Sequence, residues 1–133
     1  MKLIVAGSRK LRNRDAVYRE LDQRRQGISE IVCGMALVWK WKDDPEIGGP
    51  DRYGHDWACL NGIDVKPFPA VWDYGSRAGF MRNEDMAGYA DALLAFLPNE
   101  PTSGTQDMID RMKKRKKPFI IVYETSSLDS LFI

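Results

Sequence analysis

The sequence predicts an α/β domain with a mainly parallel sheet and helices on both faces. Three observations predict it. Short apolar runs alternate with helix-forming stretches, the pattern of βαβ units. The clearest of these runs, Ala90–Leu97 (ADALLAFL), is apolar almost throughout, as a strand buried on both faces is. Small-residue loops follow three of the runs: Gly7-Ser8-Arg9, Gly34-Met35-Ala36 and Ser103-Gly104-Thr105. In a parallel sheet such loops share the edge at the strands' carboxyl ends, where ligands bind.

Taken in order, Lys2–Ala6 reads as a buried first strand, β-branched and apolar. Arg14–Arg25 places Ala16, Val17 and Leu21 on one face of a helix closed by Gly27. Glu30–Cys33 is a second strand. A helix over Tyr53–Asn61 has Gly62 at its C-terminal cap and leads to a third strand, Ile63–Phe68. Asn83–Tyr89 is a helix and Ala90–Leu97 the fourth strand. Gly104–Lys116 carries Met108, Ile109 and Met112 on one helical face, and Pro118–Tyr123 (PFIIVY) is the last strand. The tail ends in Leu131-Phe132-Ile133, expected to dock on the body or on a partner.

One stretch breaks the alternation. Residues 37–50 (LVWKWKDDPEIGGP) stand between the second strand and its helix. Val38 to Lys42 alternates apolar and polar residues like a strand, and Asp-Asp-Pro and Gly-Gly-Pro follow as turn signals. The pattern predicts an inserted flap or hairpin whose exposed apolar face a second copy of the chain covers.

Length and composition bound the function. The 133 residues fit one domain, spanning 1–133. A 44% hydrophobic and 29% charged composition is that of a globular chain, and a net charge of +1 argues against bulk nucleic-acid binding. The two cysteines, Cys33 and Cys59, form no CxxC pair and read as reduced thiols of a cytoplasmic protein. The first apolar run ends after five residues, too short for a signal peptide or a membrane span.

The segments MKLIVAGSR, GIDVKPFPAVWDYGSRAGFMRNEDMAGYADALLAFLP and SGTQDMID resemble the YspA-like branch of the SLOG superfamily, which also holds the LOG and Smf/DprA proteins. They cover most of the chain in the family's order. The resemblance implies a Rossmann-like fold that binds a nucleotide or nucleotide-derived small molecule. Two departures stand out. The family's Gly-Gly-Ala-x-Gly-Ala-Asp loop begins here as Cys33-Gly34-Met35-Ala36, is interrupted by 37–50, and resumes near Asp51-Arg52-Tyr53-Gly54. LOG phosphoribohydrolases, which cleave the N-glycosidic bond of nucleoside monophosphates, carry an Arg-Lys pair and a PGGxGTxxE loop. Arg82-Asn83 stands in the place of the pair and Gly104-Thr105 matches the Gly-Thr, but Met108 replaces the Glu and Asp107 is the nearest carboxylate.

The candidate residues follow. Gly7, Ser8 and Arg9 suit a phosphate through backbone N–H groups, a hydroxyl and a guanidinium, or else form only a tight turn. Gly34, Met35 and Ala36 form the second loop. Ser103, Gly104 and Thr105 open a helix, where phosphate binding and helix capping compete for the same N–H donors. Arg82 and Asn83, read at a helix start, offer a two-pronged anion contact; the competing reading pairs Arg82 with Glu84 or Asp85 and makes Asn83 a cap. Arg77 is a further cation of this kind. Trp39, Trp41, Tyr53 and Trp72 are candidates for stacking on a base under the flap, or for packing. For a hydrolase the catalytic candidates are Arg82, Asp107 and Asp51.

His55 and Cys59 share a helix face, but two ligands are too few for a metal, so neither metal nor other cofactor is expected. The basic run 112–117 reads as a solvated helix end, so nucleic acid is not an expected partner. The expected partners are a nucleotide or nucleotide-derived small molecule and further copies of the chain, as a homodimer or higher homo-oligomer, with no membrane. The leading function is ligand binding, with a nucleotide N-glycosidase or phosphoribohydrolase as the alternative and a nucleic-acid module as the second alternative.

Overall fold

A computed structural model describes residues 1–35, 38–45, 47–69, 75, 77–99 and 103–123. Five strands form one all-parallel sheet: β1 (Lys2–Gly7), β2 (Glu30–Cys33), β3 (Asp64–Pro67), β4 (Ala92–Leu97) and β5 (Phe119–Tyr123), in the order β3-β2-β1-β4-β5. Four α-helices join them: α1 (Arg14–Asp22), α2 (Gly49–Leu60), α3 (Ala78–Tyr89) and α4 (Ser103–Lys114). This is the Rossmann-like α/β fold, with the order reversing between β1 and β4.

Alternation along the central strands builds two cores. Leu3 and Val5 of β1 and Leu94 and Phe96 of β4 point to one face, against Val17 and Leu21 of α1 and Tyr53 and Trp57 of α2. Ile4 of β1 and Leu93, Ala95 and Leu97 of β4 point to the other, against Met86 and Ala87 of α3 and Met108, Ile109 and Met112 of α4. All six residues of β4 are buried, which explains its unbroken apolar sequence.

The helix ends have local causes. Asn13 caps α1, its Oδ1 accepting from Ala16 N at 3.0 Å. The helix ends at Asp22, short of the expected Arg25, and the chain tightens into a 3-10 turn over Arg25–Gly27. At the C-terminal end of α3, Lys117 Nζ donates to the carbonyls of Ala87, Gly88 and Ala90 at 2.8, 3.2 and 2.6 Å. That cation satisfies carbonyls that a helix end leaves open. Among the described residues no helix is long and apolar enough to cross a membrane.

The stretch 37–50 is not a hairpin in its described part. Val38–Lys40 is a 3-10 turn, further turns reach Gly48, and Gly49 and Pro50 belong to α2. Pairing beside β2, the strand it follows, is closed to it, because β2 already has β1 and β3 as neighbours. Trp41 is buried by its own chain, with its ring 5.2 Å from that of His55 in an edge-on contact. The helix beginning at Gly49 explains the Gly-Gly-Pro text differently from a turn. Gly48 and Gly49 take φ of 109° and 60°, which L side chains rarely adopt, and Pro suits a first helical turn. α3 likewise begins at Ala78, five residues before the expected Asn83. The tail 124–133 lies outside the described residues.

Candidate functional site

The carboxyl ends of β1 and β2 and the start of α4 meet at one cavity of about 370 Å³. That size lies within the range of small-molecule pockets, about 300–1,000 Å³. Its floor is apolar, from Val5, Ala6, Met86 and Met108. Its rim carries Gly7, Ser8 and Arg9 after β1, Gly34 after β2, and Ser103, Gly104 and Thr105 at the start of α4. Gly48 and Asp51 add the start of α2, and Arg82 and Asn83 add α3.

The β1 loop is glycine for a steric reason. A Cβ on Gly7 would stand 2.6 Å from Pro50 Cγ and 2.7 Å from the Phe96 carbonyl oxygen. One on Gly49 would stand 2.7 Å from the Ser8 carbonyl oxygen. The first loop and the start of α2 thus lie backbone to backbone. Ser8 Oγ also accepts from Lys10 N at 3.3 Å, so its hydroxyl already serves the turn.

Gly34 is flanked by opposite charges. Its N–H donates to Asp51 Oδ1 at 3.2 Å, and its carbonyl accepts from Arg82 Nη1 at 3.3 Å. The Cys33 thiol donates to the same Asp51 oxygen at 3.3 Å. Burial, and then the charge of Asp51, push this thiol well above its ordinary pKa, so it stays protonated.

Arg82 projects from the second turn of α3, not its start. It makes no ion pair among the described residues, and its Nε is buried without a hydrogen-bond partner. The competing pairing with Glu84 or Asp85 is not formed among the described residues: Glu84 is held by Arg111 at 2.6 Å and by Arg115. Asn83 is not a helix cap. It is buried, and its Nδ2 donates to the Gly104 carbonyl at 3.3 Å and to Asp107 Oδ2 at 3.0 Å.

Asp107 also accepts from Arg111 Nε at 2.8 Å, and it is not on the cavity wall, whereas Met108 is. The carboxylate on the wall is Asp51. Met35 does not line the cavity; with φ of 54° it turns the chain into the 3-10 segment, its carbonyl accepting from Val38 N at 3.3 Å. Ala36 and Trp72, and the Trp39 side chain, lie outside the described residues. Tyr53 is fully buried in the core, and among the described residues no aromatic ring lines the cavity. Arg77 is exposed at the start of α3, away from the wall.

His55 turns its Nδ1 to Asp56 at 3.0 Å, and no metal-sized cluster occurs among the described residues. Reading the sequence missed Gly48, which its turn pattern concealed, and the floor residues. Met108 was visible as the replacement for a Glu, but its place on the wall depends on how α4 rolls against the sheet. Comparison with protein families, with curated proteins and with solved structures returns no match to this chain.

Proposed function

We propose that this cavity binds a nucleotide or nucleotide-derived small molecule through its phosphate. The observation that carries the reading is Arg82: a guanidinium on the wall with no ion pair among the described residues, beside the start of α4, whose first turn holds no acidic residue. Free N–H groups at a helix start and an adjacent arginine together suit a phosphate. The resemblance to the SLOG superfamily supports the same reading, and so does the place of the cavity where the strand order reverses.

The phosphoribohydrolase reading draws support from Asp51 alone, since Asp107 is engaged elsewhere. A nucleic-acid role draws little: in the basic run 112–117, Arg115 pairs with Glu84 and Lys117 serves α3, and the exposed Lys113, Lys114 and Lys116 have no aromatic residue interleaved among them. Assembly into a homodimer, and a cytoplasmic location, belong to the same proposal. Trp41 is covered by its own chain, and Val38 is the exposed large apolar side chain among the described residues of the 37–50 stretch.

Thermal unfolding with a panel of nucleoside monophosphates tests the reading. Binding raises Tm in a concentration-dependent way, and Arg82→Gln removes that rise. A panel that leaves Tm unmoved at millimolar ligand overturns it.

A further inference from the structure

The cavity's polar groups are sorted by charge along its rim. α2 and α4 both begin there, and both helix starts carry partial positive charge. The first turn of α4 itself contains no acidic residue, and among the described residues a methyl group added at Gly104 would meet nothing within 4 Å, so these residues leave its backbone open to an anion. The first turn of α2 contains Asp51, whose negative charge offsets the dipole and repels a second anion. We propose that Asp51 reads the hydroxyl groups of a sugar phosphate, so that such a molecule lies with its phosphate at Arg82 and the start of α4 and its hydroxyls at the start of α2. This rests on the phosphate-binding reading above and adds to it the sugar and its orientation.

The geometry at Gly34 supports the assignment. Its N–H holds Asp51 and its carbonyl holds Arg82, so the hydroxyl acceptor and the anion donor are both anchored to one residue on the cavity wall. Gly34 and Cys33 both donate to Asp51 Oδ1, so two donors from the end of β2 fix the plane of the carboxylate. A carboxylate accepts up to about four hydrogen bonds and donates none, so hydroxyl groups, not phosphate oxygens, are its complement.

The test is calorimetric titration of the full chain with ribose 5-phosphate, 2-deoxyribose 5-phosphate and inorganic phosphate. Wild type is expected to prefer the ribose compound over the deoxy compound by roughly tenfold or more, the worth of a hydrogen bond to a charged group. Asp51→Asn keeps an acceptor for Gly34 N and is expected to bring that ratio near unity without weakening inorganic phosphate. Arg82→Gln is expected to weaken both sugar phosphates alike and leave the ratio intact. A ratio that survives Asp51→Asn, or a loss of inorganic phosphate equal to the loss of ribose 5-phosphate, overturns the role of Asp51 while leaving phosphate binding in place. Failure of wild type to take up any of the three probes overturns the phosphate-binding reading, and this proposal with it.

Discussion

The side-chain amide of Asn83 donates to Asp107 Oδ2 at 3.0 Å, tying α3 to α4 directly beside the cavity. The same nitrogen lies 3.3 Å from the Gly104 carbonyl oxygen, so one buried amide sets the position of the α4 start relative to Arg82, its neighbour in sequence. A carboxylate that sequence alone offered to catalysis is thereby used to join two helices.

Asn83→Ala is expected to destabilise the fold by about 1–3 kcal/mol, because it removes a donor from two acceptors in a part-buried setting. Urea denaturation measures it. A change below a few tenths of a kcal/mol would show that water replaces the amide and that the link is incidental.

Gly104→Ala separates stability from binding. Gly104 lies in the first turn of α4, and an added methyl meets no atom of the described residues within 4 Å. Alanine there is expected to leave the fold unchanged or to stabilise it by up to about 1 kcal/mol. The same methyl would stand where the proposed phosphate approaches the backbone, so affinity for nucleoside monophosphates is expected to fall. Equal affinity in the variant, with Tm unchanged or raised, places the phosphate away from α4.

Much of the fold was legible, for a physical reason. Central strands of a parallel sheet are buried on both faces, so Ile31–Cys33 and, more clearly, Ala92–Leu97 carry an apolar run. The convergence of Gly7, Gly34 and Gly104 on one cavity follows from the shared direction of all strands. The Val-Trp-Lys-Trp-Lys text lies outside the sheet, as an inserted segment does, but its alternation suggests a strand because local alternation does not say whether a sheet edge is vacant. Beside β2 none is, and Trp41 packs on α2 through His55 instead. The fate of Asp107 was invisible because it depends on which residues α3 presents to α4, a pairing between segments 24 residues apart in sequence.

Asp56 is expected to govern part of the acid stability. Its Oδ2 meets Arg14 Nη1 at 3.0 Å and Arg52 Nε at 3.1 Å, and both arginines also donate to carbonyls of Asp44, Pro45 and Ile47, fastening that stretch to α2. Burial by itself raises the pKa of Asp56, but hydrogen bonds from His55 and Arg14 and the charges of Arg52 and Arg14 outweigh it and hold the carboxyl below its ordinary value. A depressed folded pKa contributes stability that is present above the unfolded value, about 3.9, and is lost as pH falls through the folded one. Asp56→Asn is therefore expected to cost about 1–3 kcal/mol at neutral pH and progressively less below about pH 4. Urea midpoints of both proteins across that range check it; a difference that stays constant down to the lowest pH removes the electrostatic account.

The last prediction concerns chemistry: nucleoside monophosphates are bound and released intact, or hydrolysed only poorly. Cleavage of an N-glycosidic bond develops positive charge on the ribose, and a carboxylate near it stabilises that charge or positions the attacking water. The LOG pattern supplies a Glu; at the position that the resemblance sets against it, Met108 lies on the cavity wall and offers neither charge nor a site for a proton. Asp107 is one residue away, which rotates its side chain by about 100° around the helix. It faces Asn83 and Arg111 there, so bringing it to the sugar requires breaking two hydrogen bonds and turning α4. Asp51 is on the wall but is held from the β2 side by Gly34 and Cys33. Phosphate binding through Arg82 needs no carboxylate at all. Chromatographic measurement of free base from a panel of purine and pyrimidine monophosphates decides the matter. Robust release that vanishes in Asp107→Asn would show that α4 does turn and that the protein is a hydrolase. Release that vanishes in Asp51→Asn alone would move the catalytic carboxylate to α2 and replace the hydroxyl-reading role proposed for it.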